Sequence, residues 1–335
     1  MLRIGYDELH RTVGGALRSL GFEEQRALLC ARLFVDTTRD GVYTHGLNRF
    51  PRFVRMIRAG RIDIHAAPER VASHGGLERW NGRSGPGNLN AHHSMERAMA
   101  LARQYGVGAV ALANTSHWMR GGSYGWQAAE AGCIGVCWTN TLPNMPQWGS
   151  AEARLGNNPL VVAVPRAGGP VVLDMAMSQF SYGALAAYRE RGERLPVDGG
   201  YDAEGRLTRD PAAIEASQRP LPAGYWKGSG LALVLDMIVA MLSGGLATHQ
   251  ISKDPERETG ISQFFLALDP AGLGGAGAAK EMADRIVASV DCRYPGQRTL
   301  EIRAENLALG VPVDPAVWLA VQEMNREGPA AGQAS

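Results

Sequence analysis

The chain has almost no lysine. Lys227, Lys253 and Lys280 are the whole complement, so nearly all of its 34 basic residues are arginine. Against 33 acidic residues they leave a net charge of +1. That balance excludes the basic excess of a nucleic-acid binder and the acidic tail of a disordered partner segment. Cysteine is scarce as well. Cys30, Cys133, Cys137 and Cys292 form no CxxC pair and have no histidine at ligand spacing, so neither a disulfide framework nor a metal centre is expected. All four read as buried thiols of a reducing, cytoplasmic compartment. Long hydrophobic runs are missing too. Residues 1–8 carry acids rather than the apolar stretch of a signal peptide. The most apolar segment, Leu231 to Leu242, contains Asp236 and is too short to cross a bilayer. No G-x-S-x-G, P-loop or HExxH motif is present.

What remains describes a globular α/β protein. At 335 residues with 45% apolar content, the chain exceeds one ordinary core, and two interleaved domains are expected. Helical spacing of apolar residues covers 6–20, 23–39 and 50–59, which makes the front of the chain a helical module. A hairpin is predicted over 70–80, turning at His74-Gly75-Gly76. Further helices are expected at 94–105, 123–131, 180–191, 228–243, 278–290 and 314–325. Strands are expected at 107–113, 133–139, 160–164, 171–175, 263–268 and 299–303. The glycine-rich stretch 81–88 and the long segment 140–158 read as loops, and the tail from Gly328 as frayed.

Chemistry concentrates in a few of these loops. Thr44 stands where an N-cap would start a helix, which would put His45 and Arg49 one turn apart on a single face. An imidazole can move a proton near neutral pH, and a guanidinium can grip a carboxylate at two points; a solvated turn is the plainer alternative. After the strand 107–113 the chain releases Asn114, His117 and Arg120 into a glycine-rich turn, and strand ends are where α/β proteins hold ligands. Gly224 to Gly230 contains Lys227, and with lysine so rare that position is suggestive of an anion or a ribose hydroxyl. By contrast, Gly272 to Gly277 satisfies G-x-G-x-x-G without the second strand and acidic residue of a dinucleotide fold. It reads as a surface loop.

Taken together, Asp40 to Phe53 (DGVYTHGLNRFPRF), His117 to Gln127 (HWMRGGSYGWQ), Leu195 to Gly200 (LPVDGG) and Gly224 to Gly230 (GYWKGSG) resemble the type-2 malate/L-lactate dehydrogenase family across nearly the whole chain. Trp118-Met119-Arg120 stands where malate and lactate members carry small residues, and so points to the members that reduce sugar-derived 2-oxo acids. The resemblance implies a non-Rossmann nicotinamide-binding fold with a mixed, largely antiparallel sheet. It also implies a helical domain built from both chain ends (1–69 with 293–335) beside an α/β domain (70–292). It implies His45 as proton donor, with His117 as the acid–base group in some members, and Arg49, Arg120 and Asn114 on the substrate. Contacts to NADH, or alternatively NADPH, are implied along Pro170-Val171-Val172-Leu173-Asp174-Met175-Ala176, at Trp226-Lys227, and at Gly296-Gln297-Arg298. At the last of these the family pattern is Pro-Gly-His-Glu, and this chain has Pro295-Gly296-Gln297-Arg298. A homodimer with the cofactor near its interface is implied, acting on a small sugar acid with neither nucleic acid nor membrane as partner. Reduction of malate-type 2-oxo acids or cyclic imines, and a non-catalytic metabolite-binding protein, are the alternatives.

Overall fold

A computed structural model of the chain describes residues 2–327; the tail expected to fray lies outside them. The chain opens with β1 (Leu2–Ile4), α1 (Tyr6–Ser19) and α2 (Glu24–Arg39). Two 3-10 turns, Tyr43–His45 and Leu47–Arg49, then lead into α3 (Phe50–Arg58). Apolar residues at helical spacing bring Phe34, Phe50 and Phe53 together, with ring centroids 5.2–5.3 Å apart from Phe34.

The middle of the chain builds the sheet. In order come the hairpin β2 (Glu69–His74) and β3 (Leu77–Asn81), α4 (Gly87–Tyr105), β4 (Val107–Ser116), α5 (Gly122–Glu130) and β5 (Ile134–Thr139). The short pair β6 (Met145–Pro146) and β7 (Ala153–Leu155) precedes β8 (Leu160–Val164) and β9 (Val171–Met175). Next are α6 (Tyr182–Glu190), β10 (Gly200–Tyr201), β11 (Leu207–Thr208), α7 (Pro211–Ser217) and α8 (Trp226–Ser243). The chain continues through β12 (Thr259–Leu268), α9 (Ala276–Ala288), α10 (Gln297–Leu309), β13 (Val311–Val313) and α11 (Pro315–Glu327). The main sheet has seven strands in the order β2-β3-β4-β12-β5-β8-β9, and only β3–β4 is parallel. This is the mixed, largely antiparallel sheet that the resemblance implies.

Strand alternation decides what covers each face. On β12, Phe265 packs with Met95, Tyr124 and Trp126 of α4 and α5, whereas its neighbour Phe264 packs with Trp138, Leu235 and Val239 under α8. The helical core of α1, α2 and α3 also takes in Val311, Val313, Trp318 and Val321, because β13 pairs antiparallel with β1.

Four local expectations are corrected. α4 begins at Gly87 rather than Ser94, because the buried side chain of Asn90 bonds Gly82 O and Thr115 Oγ1 and draws the glycine-rich stretch into the helix start. Residues 299–303 belong to α10 and not to a strand. Their alternation suits either period, and docking on α2 decides it: Asn306 Nδ2 donates to Arg39 O at 2.7 Å. The segment 140–158 contains β6 and β7, and Cys292 is exposed while the other three cysteines are buried.

Thr44 caps no α-helix, since the helix starts only at Phe50. What interrupts it is Gly46 packed on α2. A Cβ there would fall 2.3 Å from Thr38 Oγ1 and 2.9 Å from Thr38 N, and the Thr38 hydroxyl accepts from Leu47 N at 2.8 Å. Gly46→Ala is therefore expected to cost about 1–3 kcal/mol through overpacking, read as a lower urea midpoint at unchanged slope. A midpoint equal to wild type would contradict this contact.

Candidate active site

Both 3-10 turns open onto one cavity of about 890 Å³, bordered by His45, Arg49, His117, Arg120, Asp174 and Glu258 among others. The broken helix does not separate His45 from Arg49, because Gly46 redirects the backbone and both side chains still face the cavity. The imidazoles of His45 and His117 lie nearly parallel at 23°, with centroids 5.9 Å apart. His117 Nδ1 accepts from Met119 N at 3.0 Å, which leaves its proton on Nε2 when neutral. His45 Nδ1 pairs with the Thr44 hydroxyl at 3.1 Å. Burial, then the nearby charges of Arg49 and Arg120, lower the His45 pKa to about 4. His117 is also held well below the usual imidazole range, first by burial and then by Arg49. Both rings are therefore neutral at pH 7.

Arg120 is less free than its sequence position implies. Its side chain is buried, and Nη1 donates to Asp40 Oδ2 at 2.8 Å. Asp40 is a shared acceptor: Arg303 reaches it with Nε and Nη2, both at 2.8 Å, and Arg39 with Nε at 2.9 Å. Burial alone would raise the Asp40 pKa, but the Arg303 hydrogen bonds and the charges of Arg120 and Arg39 hold it below the usual carboxylate value. Arg303 also lies over the Trp126 ring at 4.5 Å. Of Arg49 and Arg120, Arg49 is the less tightly paired. That guanidinium faces Glu258 Oε2 at only 3.9 Å. Its own pKa is lowered to about 10, by burial first and by Arg52 next. A half-buried cation with so loose a counter-ion is suited to an anionic ligand.

The residues expected around the cofactor fall in three places. Asp174 and Ala176, at the end of β9, line the cavity. Although residue 174 lies along the open edge of the sheet, its carboxylate turns toward the start of α5 and accepts from Gly122 N at 2.8 Å. Burial there raises its pKa against the pull of Arg120 and that N–H. Pro170, Val171, Val172, Leu173 and Met175 lie off the cavity wall, and Val172 N donates to Pro295 O at 3.0 Å, which brings Gly296 onto β9. Gln297 bonds Glu301 in the first turn of α10, and Arg298 is exposed. Trp226 is 67% exposed at the start of α8 beside the exposed Lys227. Asn114 lies outside the cavity, a left-handed residue at an irregularity of β4, where it bonds Ser84 and Asn81. No group of three metal-ligating side chains occurs among the described residues.

Sequence reasoning missed Asp40, Arg303, Arg52 and Glu258. Asp40 sits directly before the Gly41 to Arg49 stretch, so its position was a usable signal. The others come together only through the fold, from α10, α3 and the start of β12.

Replacing Asp40 by Asn would leave three guanidiniums around a neutral amide, and is expected to lower stability by about 3–5 kcal/mol at neutral pH. The wild-type contribution is complete above the unfolded carboxyl pKa of about 3.9 and disappears as pH falls through the lower folded value. Denaturant melts from pH 7 to 2 should therefore show a shallower acid slope for Asp40→Asn; identical slopes would count against the hub. For His45, an NMR titration of the free protein should find the ring unprotonated down to about pH 4. An imidazole titrating near 6.5 would contradict the environment described.

Residues 4–322 match the family model for malate/L-lactate dehydrogenase. Among curated proteins, 2,3-diketo-L-gulonate reductases from Citrobacter koseri and from Escherichia coli strain K12 are each 45% identical to this chain over 334 residues, covering 96% of it and all of theirs. Among solved structures, sulfolactate dehydrogenase from Methanocaldococcus jannaschii superposes with a TM-score of 0.90 at 26% identity, covering 97% of each chain. The delta1-piperideine-2-carboxylate reductase from Pseudomonas syringae superposes with a TM-score of 0.87 at 25% identity, covering 97% of this chain and 100% of that one. A cavity with paired imidazoles and a loosely countered arginine, on a sheet that is not a Rossmann sheet, thus belongs to an oxidoreductase of the malate/L-lactate dehydrogenase family.

Proposed function

We propose that the chain reduces a sugar-derived 2-oxo acid with NADH or NADPH, converting 2,3-diketo-L-gulonate to 3-dehydro-L-gulonate. The observation that carries this reading is Arg49, half-buried on the same cavity as His45 and His117 without a hydrogen-bonded counter-ion. It supplies the anion anchor that an acid substrate needs next to a proton source.

The residues present fit a nicotinamide dinucleotide. The open face of Trp226 suits a flat base, and Lys227, which has no ion pair among the described residues, suits a phosphate or ribose hydroxyl. The segment 170–176 and Gly296-Gln297-Arg298 complete the proposed holding set. When bound, that cofactor supplies the hydride. The protein's own work is the rest. Arg49 holds the substrate carboxylate, Arg120 adds positive potential, and His45, protonated once substrate has bound, gives its proton to the forming alkoxide oxygen and returns to neutral imidazole. His117, with its tautomer fixed by Met119 N–H, offers a second N–H to that oxygen. Arrival of the carboxylate offsets the Arg49 charge, which is one cause of the low His45 pKa, so substrate binding raises the proton affinity of the acid.

α8 supports the homodimer reading. Leu233, Val234, Met237 and Met241 form an exposed apolar stripe, with Met241 72% exposed, close to Trp226 and Lys227 in the chain. An apolar surface of that kind marks a contact face. Three buried free thiols support a cytoplasmic location.

His45→Ala is expected to lose about 10²–10⁴-fold in kcat, whereas Arg49→Ala should chiefly raise KM; near-normal turnover by His45→Ala would remove it from the donor role. Loss of NADH or NADPH absorbance with 2,3-diketo-L-gulonate, oxaloacetate, pyruvate and a cyclic imine identifies the substrate. Preference for any of the last three would overturn the assignment.

A further inference from the structure

Glu258 has no role in the steps above, yet it is 4% exposed and borders the cavity. A carboxylate so buried normally has its oxygens fully hydrogen-bonded. Here Oε1 accepts a single long bond, from Leu142 N at 3.4 Å. Oε2 meets Arg49 Nη2 at 3.9 Å and Arg52 Nη2 at 3.6 Å, both beyond hydrogen-bond length. Arg52 does not close in because it is held elsewhere. Arg52 Nη2 donates to Pro255 O, and its buried Nε faces Glu256 Oε1 at 3.6 Å without a hydrogen bond. Charge balance around Glu258 is therefore satisfied, and its hydrogen-bonding capacity is not.

The neighbouring wall is polar rather than apolar. Thr141, Asn144 and Asn157 border the same cavity and bond one another, Thr141 Oγ1 to Asn157 Oδ1 at 3.2 Å and Asn144 Nδ2 to Asn157 Oδ1 at 3.3 Å. The segment that carries Thr141 and Asn144 is the one whose Leu142 N–H touches Glu258. A plain 2-oxo acid has no donor to offer these acceptors. A chain of hydroxyl groups has several.

We infer that Glu258 accepts hydrogen bonds from the hydroxyl groups of the substrate tail, and that it is the residue by which the cavity separates polyhydroxylated 2-oxo acids from plain ones. This rests on the substrate class proposed above. Leaving a buried acceptor unpaired is what penalises the analogue lacking a hydroxyl. Arg49 takes the carboxylate and Glu258 the hydroxyl groups of the carbons that follow it, so adjacent parts of the ligand are read by opposite charges.

The test is binding without turnover. Calorimetric titration of the cofactor-free protein with 2-oxo-L-gulonate and with pyruvate should show the hydroxylated acid bound more tightly. Glu258→Gln keeps an oxygen for Leu142 N–H but removes the charge-assisted bonds. It should shrink the ratio of the two affinities by about 10- to 150-fold. Equal wild-type affinities, an unchanged ratio, or parallel weakening of both ligands would each overturn the inference. Parallel weakening would mean that Glu258 only holds Arg49 in place. A protein that shows the Glu258-dependent preference yet reduces neither acid with NADH or NADPH would instead sink the proposed reaction and leave this inference standing.

Discussion

Asp40 is a buried carboxylate surrounded by guanidiniums from three parts of the chain. Arg39 comes from α2, Arg120 from the turn after β4, and Arg303 from α10, all at 2.8–2.9 Å. Burying any one of these charges alone would be costly, and the cluster is tolerated because each charge is met at hydrogen-bond distance. The consequence is geometric as much as energetic. The helical front, the sheet and the returning C-terminal helix meet at one point, and the cavity lies directly beside it.

That arrangement divides the arginines into two kinds. Arg120 and Arg303 are hydrogen-bonded to Asp40, while Arg49 and Arg52 face Glu258 without hydrogen bonds to it. Positive potential is thus structural on one side of the histidines and open to ligand on the other. The near-absence of lysine fits this division, because planar guanidiniums can share a carboxylate in fixed geometry where an ammonium would not. Neutral imidazoles belong to the same picture: the guanidinium charges of Arg49 and Arg120 disfavour a charged ring beside them.

Much of the architecture was readable in advance, and for identifiable reasons. The helices of the first 60 residues and strands such as 160–164 and 171–175 carry apolar periods strong enough to decide their type. Cavity-lining residues in the 43–49 and 117–120 stretches were picked out because imidazole and guanidinium stand together in glycine-containing turns. What was not readable depends on contacts distant in sequence. α10 looked like a strand at 299–303 until its docking on α2 is considered, and the Thr44 cap failed because Thr38, on another helix, takes the N–H of Leu47. Asn114 looked like a site residue from its strand end, but its left-handed backbone turns it outward to Ser84 and Asn81. Glu258 had no local signal, since its importance lies in partners more than 100 residues away.

α2 carries two attachments near its end. Through Thr38 it holds the peptide between His45 and Arg49, and through Asp40 it holds Arg120. Mechanically it is one rod with two rigid arms. A small rotation or slide of α2 would carry His45 and the buried Arg120 in the same direction, so their mutual alignment survives breathing of the helical core against the sheet. Precision at the site then requires only that one helix keep its shape, a weaker demand than fixing every catalytic side chain separately against the whole molecule.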